Sequence, residues 1–68
     1  MDNIKWTIKA ICGQLDLSIE ALANKAGINY NHLKMVSSGY VKMTGEDLVK
    51  LHNATGIPME NIETKYER

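Results

Sequence analysis

The sequence predicts an all-α fold of five short helices, and three observations carry that prediction. Apolar residues recur at helical spacing along almost the whole chain. No stretch alternates apolar and polar residues as a half-buried strand does. Ser, Thr, Asn and Gly stand where helix starts and stops should fall.

Ile4, Ile8, Ile11 and Leu15 step by four, three and four, which puts one apolar stripe on a first helix from about Asn3 to Gln14. Gly13 weakens the end of that helix. Ser18 occupies an N-cap position, with Glu20 in the following turn to complement the helix dipole. The second helix then runs to about Lys25, with Ala21 and Leu22 facing inward. Gly27 ends it, because glycine takes a positive φ at no steric cost and lets the chain reverse tightly.

Asn29 caps a third helix that runs to about Ser38 and stops at Gly39. Thr44 and Asp47 form a pair like a capping box and open a fourth helix. That helix buries Leu48, Leu51 and Thr55 and ends at Gly56. Pro58 fits the first turn of a short fifth helix, where its missing N–H costs nothing. Ile57 and Ile62 close the core from that side.

A chain of 68 residues makes one domain, with a core from about residue 4 to 63 and a tail at 64–68. Such a core is marginal, so tight helix packing or dimerisation helps it. The lone Cys12 excludes an internal disulfide and fits a reducing cytoplasm. Lys5 and Lys9 interrupt any apolar run near the start, so no signal peptide is expected. No apolar stretch approaches the roughly 20 residues of a membrane span. A soluble, cytoplasmic protein is expected.

The sequence carries no catalytic or metal-binding constellation. His32 and His52 lie twenty residues apart, without a His-Glu-x-x-His or Cys-x-x-Cys motif. Cys12 falls on the inner or flanking side of the first helix, where a thiol is a small hydrophobe. No glycine-rich phosphate loop is present. Neither a cofactor, a metal nor a small-molecule substrate is implied, and the chain does not read as an enzyme.

The eight basic and eight acidic side chains cancel, but they are unevenly placed. Residues 1–20 carry Lys5 and Lys9 against Asp2, Asp16 and Glu20. Residues 21–45 carry Lys25, Lys34 and Lys42 and no acid. Residues 46–68 carry Lys50, Lys65 and Arg68 against five acids. The local field governs association more than the total does, so the central positive stretch fits a polyanion. A solvated lysine face is the simpler alternative.

The central stretch reads Leu17-Ser18-x-x-x-Leu22-Ala23-x-x-Ala26-Gly27-Ile28, then Leu33-x-x-Val36-x-x-Gly39. It is followed by Leu48-x-x-Leu51 and Gly56-Ile57-x-x-x-x-Ile62. This pattern resembles the Cro/CI-like helix-turn-helix family (xenobiotic-response-element type, lambda-repressor-like), and it covers about residues 4 to 63. The resemblance implies a compact five-helix domain with the helix-turn-helix at helices two and three. It also implies a phage Cro-like repressor that binds operator DNA as a homodimer, in a bacterial or phage-infected cell. Two positions depart from the family. Cys12 and Ser37 stand where an Arg–Glu pair is common, and losing both charges together strands neither. Ile19 stands where many members carry a Gln that meets the DNA backbone, and an isoleucine cannot bond a phosphate.

A helical wheel turns Leu33 and Val36 to the core and Asn31, Lys34, Met35 and Ser38 to the opposite side, with Tyr30 and His32 on the flanks. A recognition helix presents its N-terminal residues to base edges. Asn31 can pair with adenine N6 and N7, and Lys34 with guanine O6 and N7 or a phosphate. Met35 and the Tyr30 ring can pack on a thymine methyl. Simpler assignments exist: Tyr30 as a cover on the preceding turn, Asn31 as a terminal cap, Met35 as a surface methionine or partner contact, His32 as a packing residue.

Backbone contacts are expected from Ser18, Lys25, Asn29, His32, Ser38, Tyr40, Lys42 and Thr44, which sit at the ends and flanks of the two helices and in the loop that follows. If Lys25, Lys34 and Lys42 each neutralise one phosphate, a dimer gives a salt slope of roughly −5. For dimerisation, Trp6 falls opposite the first apolar stripe, and Met43, Met59 and Tyr66 are expected at the surface with it. The expected interface is the fifth-helix region and the tail, unless residues 65–68 are a frayed end. The competing reading is a protein-interaction module on the same fold, such as an antirepressor or antitoxin subunit.

Overall fold

Each α-helix among the described residues starts at a side-chain oxygen and three of the four end at a left-handed residue, so local chemistry sets most helix boundaries. A computed structural model describes residues 5–66. It contains α1 (Ile8–Leu15), α2 (Ile19–Ala26), α3 (Tyr30–Ser37) and α4 (Gly45–Thr55), followed by a single 3₁₀ turn (Met59–Asn61). Among the described residues there is no strand, only an isolated parallel bridge between Trp6 and Ile62. The fold is therefore all-α, with four α-helices among the described residues rather than the five expected.

Thr7, Ser18, Asn29 and Thr44 cap α1 to α4, each accepting from a backbone N–H in the first turn. Thr44 and Asp47 form a complete capping box, each side chain accepting from the other's amide. Gly27 (φ 74°) and Gly56 (φ 78°) close α2 and α4 in the left-handed region. Asp16 does the same for α1 at φ 58°, a conformation that a short polar side chain tolerates.

The buried core draws Ile8, Ile11 and Cys12 from α1, Leu22 and Ala23 from α2, and Ile28 from the turn after it. Leu33 and Val36 of α3, Leu51 of α4 and Ile62 complete it. α2 is the hub, packing against α1, α3 and α4. Its inner stripe is Ile19, Leu22, Ala23 and Ala26, so Ala23 faces the core, while the expected Ala21 is only partly buried. The Cα radius of gyration, 10.8 Å, is that of a compact fold at this length. No helix among the described residues is long and apolar enough to cross a membrane.

The two chain ends depart most from the sequence reading. α1 begins at Ile8, not near Asn3, because residues 5–7 run extended beside the C-terminal segment. Trp6 donates to Asn61 O at 2.7 Å and accepts from Glu63 N at 2.9 Å. Ile4 lies outside the described residues. Leu15 is 38 % exposed, because α1 ends there and Leu17, after the reversal, packs on the core instead.

The expected fifth helix is only the 3₁₀ turn, with Pro58 just before it. Ile62 leaves it in extended geometry to meet Trp6, so no second turn can form. Trp6, Met43 and Tyr66 do not project as expected: all three pack against the core. Leu48 and Ile57 are partly buried against it, and the Thr55 hydroxyl donates to Leu51 O at 2.7 Å.

Candidate functional site

α2 and α3 are joined by Gly27, Ile28 and Asn29 alone. The glycine supplies the reversal, Ile28 plugs the core and Asn29 caps α3 through a 3.2 Å bond from His32 N. Leu33 and Val36, both fully buried, brace α3 from behind. The opposite face of α3 is thereby fixed outward.

That face gathers most of the residues singled out in the sequence. Asn31, Lys34, Met35 and Ser38 line a shallow hollow of about 310 Å³ together with Tyr40. Met35 is 44 % and Tyr40 59 % exposed. Tyr30 opens the helix beside the hollow, with Lys34 Nζ 5.9 Å from its ring centroid. That distance is at the limit of a cation–π contact, and it draws the ammonium toward the N-terminal end of α3. Among the described residues no carboxylate lines the hollow, so none of them neutralises Lys34 there.

The flanking residues are placed as capping positions dictate. Ser18 and Thr44 accept from the first turns of α2 and α4, which leaves each hydroxyl proton free to turn outward. Asn29 accepts through Oδ1, so its amide N–H groups can still donate. Lys25 is exposed in the last turn of α2, Ser38 caps the C-terminus of α3, and Lys42 is exposed in the loop after it. Ile19, by contrast, turns inward and packs on the core. Lys50 is engaged internally, donating to Gly27 O at 3.4 Å and pairing with Glu46 at 3.5 Å.

His32 has an internal partner. Its Nε2 lies 2.6 Å from Oδ2 of Asp47, the one buried charged residue among those described. Burial by itself raises the pKa of this carboxyl. The hydrogen bonds from His32 and from Thr44, with the charge attraction of the imidazole, outweigh burial and hold it below the usual carboxylate value. The pair ties α3 to the first turn of α4, so His32, still partly exposed, helps to fix how the α3 face is oriented. The sequence shows His32 and Asp47 only as a helix residue and a capping residue, and no local signal joins them across fifteen positions.

Residues 64–66 lie beside the α3–α4 loop, and none of them lines the hollow on the front of α3. Thr64, Lys65 and Tyr66 share with residues 39–43 a cleft of about 490 Å³. The Tyr66 hydroxyl oxygen accepts from Ile8 N at 2.9 Å, which satisfies an N–H at the start of α1. Burial, with a smaller push from the Glu63 charge, raises the phenol to about 12, against the opposing effect of the Ile8 bond.

His52 Nδ1 bonds Ile57 O at 2.7 Å and serves the end of α4. Cys12 is buried, and burial pushes its thiol up. Among the described residues no three His, Cys, Asp or Glu side chains are grouped to hold a metal ion. No family model, no characterised protein and no solved structure matches this chain.

Proposed function

We propose that the protein is a sequence-specific DNA-binding regulator, a Cro-like repressor whose α3 enters the major groove. In this reading α2 and α3 form a helix-turn-helix. The observation that carries the proposal is the outward face of α3: an amide, an ammonium, a thioether and a hydroxyl around a carboxylate-free hollow, on a helix fixed by two fully buried side chains. Asn31 reads an adenine, Lys34 a guanine or a phosphate, and Met35 with Tyr30 packs on a thymine methyl. Ser18, Lys25, Asn29, Ser38, Tyr40, Lys42 and Thr44 hold the backbone and set register. One short helix reads too few bases for useful affinity, so two copies act on paired half-sites.

Selection of binding sites from a random duplex pool, followed by gel shifts with Asn31→Ala and Lys34→Ala, tests this. A selected sequence bound in a salt-dependent way, with each variant weakened roughly ten- to a hundredfold, is expected. No salt-dependent binding at low ionic strength sinks the proposal and favours a protein-interaction module.

A further inference from the structure

The loop after α3 and the C-terminal segment enclose a cleft that the α3 face does not use. Its walls bring Lys42 and Lys65 together with the Thr64 hydroxyl and the Tyr40 phenol, over the partly buried Met43. Lys65 comes from the acidic last third of the sequence, yet the fold sets it against the one lysine of the loop. Among the described residues no carboxylate lines the cleft. Among the described residues the acid nearest to Lys65 in sequence is Glu63, and its carboxylate accepts from the Lys65 backbone N–H at 3.0 Å. Two ammonium groups and a hydroxyl, with no carboxylate of a described residue among them, form a donor-rich site, and its match is an anion with several acceptor oxygens.

Tyr40 identifies which anion. It lines both this cleft and the hollow on the front of α3, so whatever fills the cleft is the immediate neighbour of whatever α3 meets. We propose that the cleft seats the phosphodiester backbone of the same duplex whose bases α3 reads, with Lys65 donating to the non-bridging oxygens of the phosphate next to the one Lys42 takes. This rests on the DNA-binding reading and extends it: the C-terminal segment becomes part of the contact surface. Each protomer then neutralises one phosphate more than Lys25, Lys34 and Lys42 account for, and the salt slope of a dimer steepens from roughly −5 to roughly −7.

The test measures affinity against salt concentration for the wild type, Lys65→Ala, Lys65→Arg and, as a control on the exposed face of α1, Lys9→Ala. Lys65→Ala is expected to flatten the slope by about 0.9 per protomer, and to weaken selected and random duplexes alike, because a phosphate contact carries no base information. Lys65→Arg restores the slope, and Lys9→Ala leaves it unchanged. A Lys65→Ala slope equal to the wild type, while Asn31→Ala and Lys42→Ala still weaken binding, overturns the cleft and leaves the DNA reading standing. A wild type with no salt-dependent binding overturns both.

Discussion

The imidazole of His32 and the carboxylate of Asp47 meet at 2.6 Å and bolt α3 to the opening turn of α4. Asp47 also closes the capping box with Thr44, so one buried side chain serves two helices. His32→Ala leaves that carboxylate without its strongest partner and is expected to cost about 1–3 kcal/mol. Asp47→Ala removes the box as well and costs at least as much. Urea unfolding of both single variants and the double variant gives the coupling. Additive losses would show that the two side chains do not act as a pair.

The lowered carboxyl of Asp47 has a pH consequence of definite sign. A group whose pKa falls on folding contributes stability above its unfolded value and loses it as pH drops through the folded value. Tyr66 acts in the opposite direction. Its phenol rises to about 12 in the folded protein, against about 10 in an unfolded chain. Its contribution is complete below the lower value and disappears as pH climbs toward the higher. Cys12, raised by burial, adds to the same alkaline loss. Denaturation midpoints measured from neutral to strongly alkaline pH are expected to fall more steeply for the wild type than for Tyr66→Phe. Parallel curves would remove Tyr66 from the account.

The same substitution at two glycines is expected to have opposite signs. Gly27 sits at φ 74° and Gly13 inside α1, and an added Cβ meets nothing within 4 Å at either. Gly27→Ala therefore suffers only the left-handed strain, about 1–2 kcal/mol. Gly13→Ala gains helix propensity, about 0.5–1 kcal/mol. Thermal or urea melts of the two variants decide it, and a stabilised Gly27→Ala would contradict the turn geometry.

If Met35 packs on a thymine methyl, the duplex reports it without any protein variant. Replacing individual thymines of a selected site by uracil removes only that methyl. One position is expected to lose affinity for the wild type but not for Met35→Ala. Equal sensitivity in both proteins at every position would place Met35 elsewhere.

How much of this was legible in the sequence depends on the range of each signal. Ser18, Gly27, Asn29, Thr44, Asp47 and Gly56 mark helix ends through bonds to neighbours a few residues away, and α2, α3 and α4 begin and end within about a residue of where those marks place them. The outward set on α3 follows from helical period alone once Leu33 and Val36 are buried. The false start of α1 has a different origin. The step from Ile4 to Ile8 continues the helical spacing, while the bonds that hold residues 5–7 extended come from Asn61 and Glu63. Pairings across more than fifty residues have no local signature. Helical spacing alone therefore puts Trp6 and Tyr66 at the surface and Lys65 in a tail.

The bonds between Trp6 and its partners at Asn61 and Glu63, between Lys5 and Glu60 O, and between Tyr66 and Ile8 N knot the two ends of the described chain together. Loss of the Tyr66 side chain therefore also strips the first turn of α1 of the acceptor for Ile8 N. The two segments thus form one seam, and local opening on one side exposes backbone groups on the other.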